Sequence, residues 1–202
     1  MRVETRKLSR VKYSLLLGWS LAGCAEQMTR FHIVDYRDAQ QVERYSQSFD
    51  QCYYRHDPAG NLDVVIRRSA KSDDGQPVTQ LIHMRTFWRV QPGRTYAESS
   101  MINATVSYLI SSWSVGAGFE GSGFLSFKTN RRRDRIDGRL ELSFLTPQRR
   151  LGQADKLFER AELRGEFSAE LDEAKVVSIL NEMTRLFGPL PDYVPPTTDP
   201  DF

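Results

Sequence analysis

Several segments of this chain alternate apolar and polar residues with a period of two, and each is bounded by a cluster of turn formers. The clearest is "TQLIHMRTFWRV", residues 79–90. Ile82, Met84, Thr86, Trp88 and Val90 fall on one face, and Leu81, His83, Arg85, Phe87 and Arg89 on the other. Successive side chains of a strand point to opposite faces, so this period commits a chain to half-buried strands. The first face fits a core. The second, with His83, fits a wetter surface.

The same pattern recurs along the chain. "ERYSQSFDQCYYR" is closed by "HDPAGN", and "LDVVIRRSA" is followed by "KSDDGQP", which carries hairpin-loop signals. "MINATVSYLISSWSV" is rich in β-branched and aromatic residues, which suit a pleated, half-buried surface. Then come "FEGSGFLSFKT", "RIDGRLELSFL" and "LFERAELRGEFSAEL". In the second of these, Ile136, Gly138, Leu140, Leu142 and Phe144 should share a face; in the third, Ala161, Leu163, Gly165 and Phe167 should. Each places a glycine shortly before an aromatic residue, a sign of bulges, bends or close backbone approach.

One helix is predicted near the C-terminus. Asp172 can cap it and Glu173 lies in its first turn, where the dipole favours an acid. Val176, Ile179, Leu180, Met183 and Phe187 recur at helical spacing, and Gly188-Pro189 stops the run. The stripe should pack on the sheet or close one end of a barrel. The expected fold is mainly β: an antiparallel sandwich or meander barrel of about seven strands, residues 43–188, with the C-terminal helix packed on it. Residues 24–42 read as an N-terminus and tether with a short helical turn around "RDAQQVERY". Residues 189–202 read as a disordered tail, since "GPLPDYVPPTTDPDF" holds five of the nine prolines.

The N-terminus differs in kind. Residues 1–12 carry Arg2, Arg6, Lys7, Arg10 and Lys12 against Glu4 alone, and an apolar run follows from Tyr13 to Gly23. That run is about half of the ~20 residues a membrane-spanning helix needs. A basic start, a short apolar core and small residues near a cut site describe a secretory signal, residues 1–23. Leu21-Ala22-Gly23-Cys24 resembles the lipobox of bacterial lipoprotein precursors. The resemblance covers residues 1–24 and implies cleavage before Cys24, a diacylglyceryl group on its thiol and acylation of the new amino terminus. Two or more acyl chains hold a protein firmly where one does not. It further implies, from Ala25 rather than Asp after the cysteine, an outer-membrane rather than an inner-membrane location.

Charge depends on that cleavage. Removing five bases and one acid from 28 Lys+Arg and 26 Asp+Glu leaves 23 against 25, so the mature chain has no overall electrostatic case for nucleic acid. The 179 residues from Cys24 onward suffice for one domain with a real core. With Cys24 acylated, Cys52 lacks a partner and reads as a small buried hydrophobe. Two cysteines and three scattered histidines make no zinc pattern, and neither a metal nor a cofactor is expected.

Motifs for chemistry are weak. "GAGFEG", Gly116 to Gly121, fits G-x-G-x-x-G, but a strand pattern follows where a dinucleotide site needs a helix. "RRRDR", Arg131 to Arg135, sits between two strand patterns, either as a solvated loop or as a hairpin tip that meets anionic headgroups, glycan or an acidic partner. Ser99, Ser100, Ser111, Ser112 and Ser114 lie in no nucleophile-elbow motif, and His32, His56 and His83 are the available bases. Asn103-Ala104-Thr105 matches a glycosylation sequon in letters only. The expectation is a non-catalytic envelope lipoprotein, bound to the membrane through its N-terminal lipid and acting through protein or glycan contacts. A lipocalin-like module for an apolar ligand and a hydrolase with an unrecognised site are the alternatives.

Overall fold

The structure, a computed structural model, describes residues 29–38, 41–72, 75–86, 102–113, 115–152 and 160–189. Nine strands and one helix follow in order: β1 (Thr29–Asp38), β2 (Gln41–Phe49), β3 (Gln51–His56), β4 (Leu62–Lys71), β5 (Pro77–Thr86), β6 (Ala104–Ser112), β7 (Val115–Thr129), β8 (Arg135–Leu151), β9 (Ala161–Leu171) and α1 (Glu173–Phe187). Strands β3 to β9 form a closed barrel. Five antiparallel neighbours run from β3 to β8, β9 pairs antiparallel with β8, and a short parallel contact of Tyr53 and Tyr54 with Glu170 and Leu171 closes the ring.

Closure is visible in the register. Stepping across partners from Arg135 leads through Glu170, Tyr53, Val65, His83, Ser107 and Glu120 back to β8 at Thr146. The walk returns eleven residues further along the same strand, the stagger that tilted barrel strands require. The β1–β2 hairpin fills the wedge left by the short β3–β9 contact: β1 lies against the first half of β9, from Ala161 to Glu166.

Alternation sets the interior. Leu62, Val64 and Ile66 of β4, Ile82 and Met84 of β5, and Val106 and Tyr108 of β6 point inward. They meet Phe31, Tyr54, Phe119, Leu163 and Phe167, so side chains occupy the barrel. Two glycines make room for the rings. A Cβ on Gly138 would stand 2.3 Å from Phe167 Cζ, and one on Gly165 would stand 2.6 Å from the Phe31 ring. Each glycine faces its aromatic across the register, on a neighbouring strand and not within its own segment.

Helix α1 lies across the outer wall and does not close an end. Asp172 caps it by accepting from Lys175 N at 2.9 Å, and Arg149 Nη1 donates to Phe187 O at 2.7 Å at the other terminus. Val176, Ile179 and Met183 pack on Val65, Leu81 and Leu109, with Leu180 and Phe187 partly buried beside them. A barrel wall is thus covered on both sides here. That is why Leu81, on the face expected to be wet, is buried.

Three expectations are corrected. Residues 29–38, read as tether, are strand β1, with Phe31 and Ile33 in the core, so the folded region includes residues from Thr29 onward and the helical turn around "RDAQQVERY" does not form in the described part. "ERYSQSFDQCYYR" is two strands broken at Asp50, because β2 pairs with β1 while β3 pairs with β4. In β8 an extra residue lies between Leu140 and Ser143 relative to both neighbouring strands. This bulge reverses the faces beyond it, so Ser143 and Leu145 point inward and Phe144 is 63% exposed. Residues 1–28 and 190–202, with the signal, Cys24 and the proline-rich tail, lie outside the described residues.

Candidate functional site

Two polar constellations stand out on the outward-facing side of the barrel wall. The first is buried. Strands β3, β4 and β5 place Arg55, Asp63, His83 and Arg85 on adjacent outward positions, because Asp63 is the register partner of both Arg55 and Arg85. Asp63 is 1% exposed and its two oxygens are separately engaged. Oδ2 accepts from Arg55 Nε at 3.1 Å, and Oδ1 lies 2.9 Å from His83 Nε2 with Arg85 Nε at 4.0 Å. Asp57, in the β3–β4 turn, accepts from Arg85 Nη2 at 2.8 Å and from Asn61 N at 2.8 Å.

Burial pushes the Asp63 carboxyl up, but the His83 hydrogen bond and the charges of His83, Arg85 and Arg55 outweigh it and hold the group below the ordinary carboxylate range. Asp57 is likewise held low: burial raises it, and the Asn61 and Arg85 bonds more than offset that. His83 was expected on the wet face; the correction is that it is 7% exposed, with its imidazole bonded to Asp63 of the neighbouring strand. Ser107 is its register partner on β6. The order Asp63, His83, Ser107 is that of an acid, a base and a nucleophile, yet no hydrogen bond joins Ser107 to the imidazole. Both Ser107 and His83 are buried, and the aspartate is shared with two guanidinium groups. The arrangement is an ion cluster that ties three strands together.

The second constellation is exposed. The β7–β8 turn carries Arg131, Arg132 and Arg133, and none of the three takes a carboxylate partner among the described residues. The loop backbone is braced. Asn130 Oδ1 accepts from Asp134 N at 3.1 Å and Arg135 N at 3.3 Å, and Arg133 N donates to Asn130 O at 3.1 Å. From inside the barrel, the Tyr54 hydroxyl donates to Arg133 O at 2.8 Å. Asp134 O accepts from Leu171 N at 2.8 Å, and Arg133 adopts φ 59. A groove of about 660 Å3 runs beside the turn, lined by Arg131, Arg132, Arg135, Glu170 and the half-exposed Leu171. Further down the same wall, Arg30, His32, Arg139 and Arg164 surround a second open groove.

The remaining candidates fall apart. Ser111 and Ser112 end β6, His32 faces outward on β1, and His56 ends β3, so no two of them meet. Ser99, Ser100 and Ser114 lie outside the described residues. Gly116 to Gly121 are inside strand β7, where no helix follows to face a pyrophosphate. Cys52 is buried in the interior, and burial pushes its thiol up, away from reactivity. Asn103 is 2% exposed, with its amide bonded to Leu125 O and N at 2.8 and 2.6 Å, so no glycan can reach it.

Fold and surface together define a small closed β-barrel with an apolar interior and a charged exterior, the reverse of the polarity a membrane-spanning barrel carries. Comparisons with protein-family models, with characterised proteins and with solved structures return no match. Among the described residues, no group of three or more His, Cys, Asp or Glu is arranged to hold a metal ion.

Proposed function

We propose that this protein is an exported lipoprotein, anchored at the outer membrane by acyl chains on Cys24, and that its barrel is a non-catalytic body working through protein or glycan contacts on its outer surface. The observation that carries the second half is the filled interior. Phe31, Tyr54, Tyr108, Phe119 and Phe167 are each at most 2% exposed and occupy the space where a lipocalin-like barrel holds its ligand. Recognition then falls to the wall and the turns, where charged side chains are available. The first half rests on the basic start, the short apolar run and Leu21-Ala22-Gly23-Cys24.

The test is metabolic labelling with a fatty-acid probe. The wild-type chain should incorporate it and Cys24→Ala should not, while remaining unprocessed. A Cys24→Ala chain with unchanged labelling and mobility would refute the anchor. For the barrel, an apolar fluorophore should show no saturable binding to the protein; a stoichiometric, high-affinity site would restore the lipocalin-like alternative.

A further inference from the structure

We infer that the β7–β8 turn is a second membrane contact, in which Arg131, Arg132 and Arg133 meet anionic phospholipid headgroups beside the lipid anchor. The inference rests on the lipid-anchored reading and adds to it an orientation and a class of lipid.

Three observations place the turn at the membrane. Strand β1 runs parallel to β8, since both are antiparallel to β9, so Thr29 opens β1 at the end nearer the rim where the β7–β8 turn lies. Ser168 N donates to Thr29 Oγ1 at 3.2 Å, and the Ser168 hydroxyl donates to Asp137 and accepts from Arg135 Nε, so the entry point sits against the base of that hairpin. Five residue steps separate Cys24 from Thr29, which reach ~17 Å when extended. Arg133, in the turn two residues before β8 begins, is four residues from Asp137 and therefore no more than ~13 Å beyond it. An anchor on Cys24 and the arginines of the turn can therefore reach one plane.

The third observation concerns order. A turn that merely keeps strand ends soluble needs no fixed backbone. This one is pinned from the core by Tyr54 and from its own flank by Asn130, while its three successive guanidinium groups take no carboxylate partner among the described residues. Asp134, the acid within the run, is committed to Asn130 Nδ2 at 2.5 Å. Leu171, 50% exposed at the edge of the same groove, gives the patch an apolar margin suited to the headgroup region. Each basic side chain near an anionic surface strengthens attachment about fivefold.

The test uses protein purified with its acyl chains and reconstituted on phosphatidylcholine vesicles with or without phosphatidylglycerol. Acyl state is read first by mass. A dye on Thr129→Cys, beside the turn, is quenched by an acceptor carried on lipid headgroups. On phosphatidylglycerol vesicles the wild type should be strongly quenched, and added salt should relieve it. In the triple variant R131Q/R132Q/R133N the ratio of docked to undocked molecules should fall roughly 100-fold, with the melting temperature unchanged because all three side chains are exposed. Lysine at the three positions should restore docking, since headgroup attraction is a matter of charge. Equal quenching on neutral and anionic vesicles, no change in the triple variant, or a loss that lysine fails to restore would each overturn the inference and leave the anchor standing. An unacylated chain would end the anchor reading instead. Cosedimentation of that chain with the same vesicles then decides the turn: arginine-dependent binding supports it, and absence of binding refutes it.

Discussion

Replacing Asp63 by Asn is the sharpest probe of what holds the barrel wall together. The substitution keeps the shape of a side chain that is 1% exposed and removes the charge that faces Arg55, His83 and Arg85. Breaking a buried ion pair by deleting one partner costs ~3–5 kcal/mol, mostly because the other charges are left uncompensated. Here Arg55 and Arg85 keep 22% and 33% of their side-chain surface exposed and can regain water, so the low end applies, ~3 kcal/mol. For a domain of this size that corresponds to a fall in melting temperature of roughly 6–12 °C. Glu141→Gln supplies the contrast. It breaks an exposed pair with Arg139, 58% and 43% exposed at 3.4 Å, and should change the melting temperature by little.

The pH dependence identifies the cause. Asp63 titrates below its unfolded value, so its stabilising contribution is complete above the ordinary Asp pKa of about 3.9 and is lost as pH falls through the lower folded value. Thermal unfolding followed by circular dichroism should therefore show a constant deficit for Asp63→Asn near neutral pH. Below about pH 4 the deficit should shrink as the wild-type carboxyl takes up its proton. Equal shifts for Asp63→Asn and Glu141→Gln, or a deficit that does not shrink in acid, would refute the ion-cluster account.

Further outcomes follow from the packing. Met183→Ala on the buried face of α1 should cost ~2–5 kcal/mol, whereas Val177→Ala, on a side chain 37% exposed, should cost far less; denaturant midpoints at constant slope would measure both. Gly138→Ala should lower stability by ~1–3 kcal/mol, because its methyl would meet the Phe167 ring, and Phe167→Leu should recover part of that loss in a double-mutant cycle. Cys52 should be silent to a thiol reagent in the folded protein and react on unfolding, in step with the loss of β signal. Reaction at the rate of a free thiol under native conditions would mean that the interior is open.

Much of the fold is legible in side-chain period alone. Ile82, Met84 and Thr86, and then Ala161, Leu163, Gly165 and Phe167, lie inward as a two-residue repeat demands. What the period hides is anything that breaks it or covers its second face. The bulge after Leu140 inserts one residue, so Phe144 lands outside although its spacing from Ile136 is even. Leu81 and His83 share a face with Arg85, yet Leu81 is covered by the long-range packing of α1 and His83 is buried beside Asp63. Strand β1 does alternate, through Phe31 and Ile33, but one strand has no visible reason to be ordered until β9 offers it an edge.

The buried ion cluster left a trace in the sequence. "LDVVIRRSA" and "TQLIHMRTFWRV" flank a hairpin loop, and pairing them across it brings Asp63 opposite Arg85 and diagonal to His83, two residues along. The arginine turn was legible as a charge run. Its bracing by Tyr54, 79 residues away in the chain, was not.

The most direct test of the account is mass spectrometry of the N-terminal peptide of protein isolated from membranes. Residues 1–23 should be gone, and the peptide should begin at Cys24 carrying acyl chains on its thiol and its amino group. A peptide that begins elsewhere, or an unmodified Cys24, would contradict it.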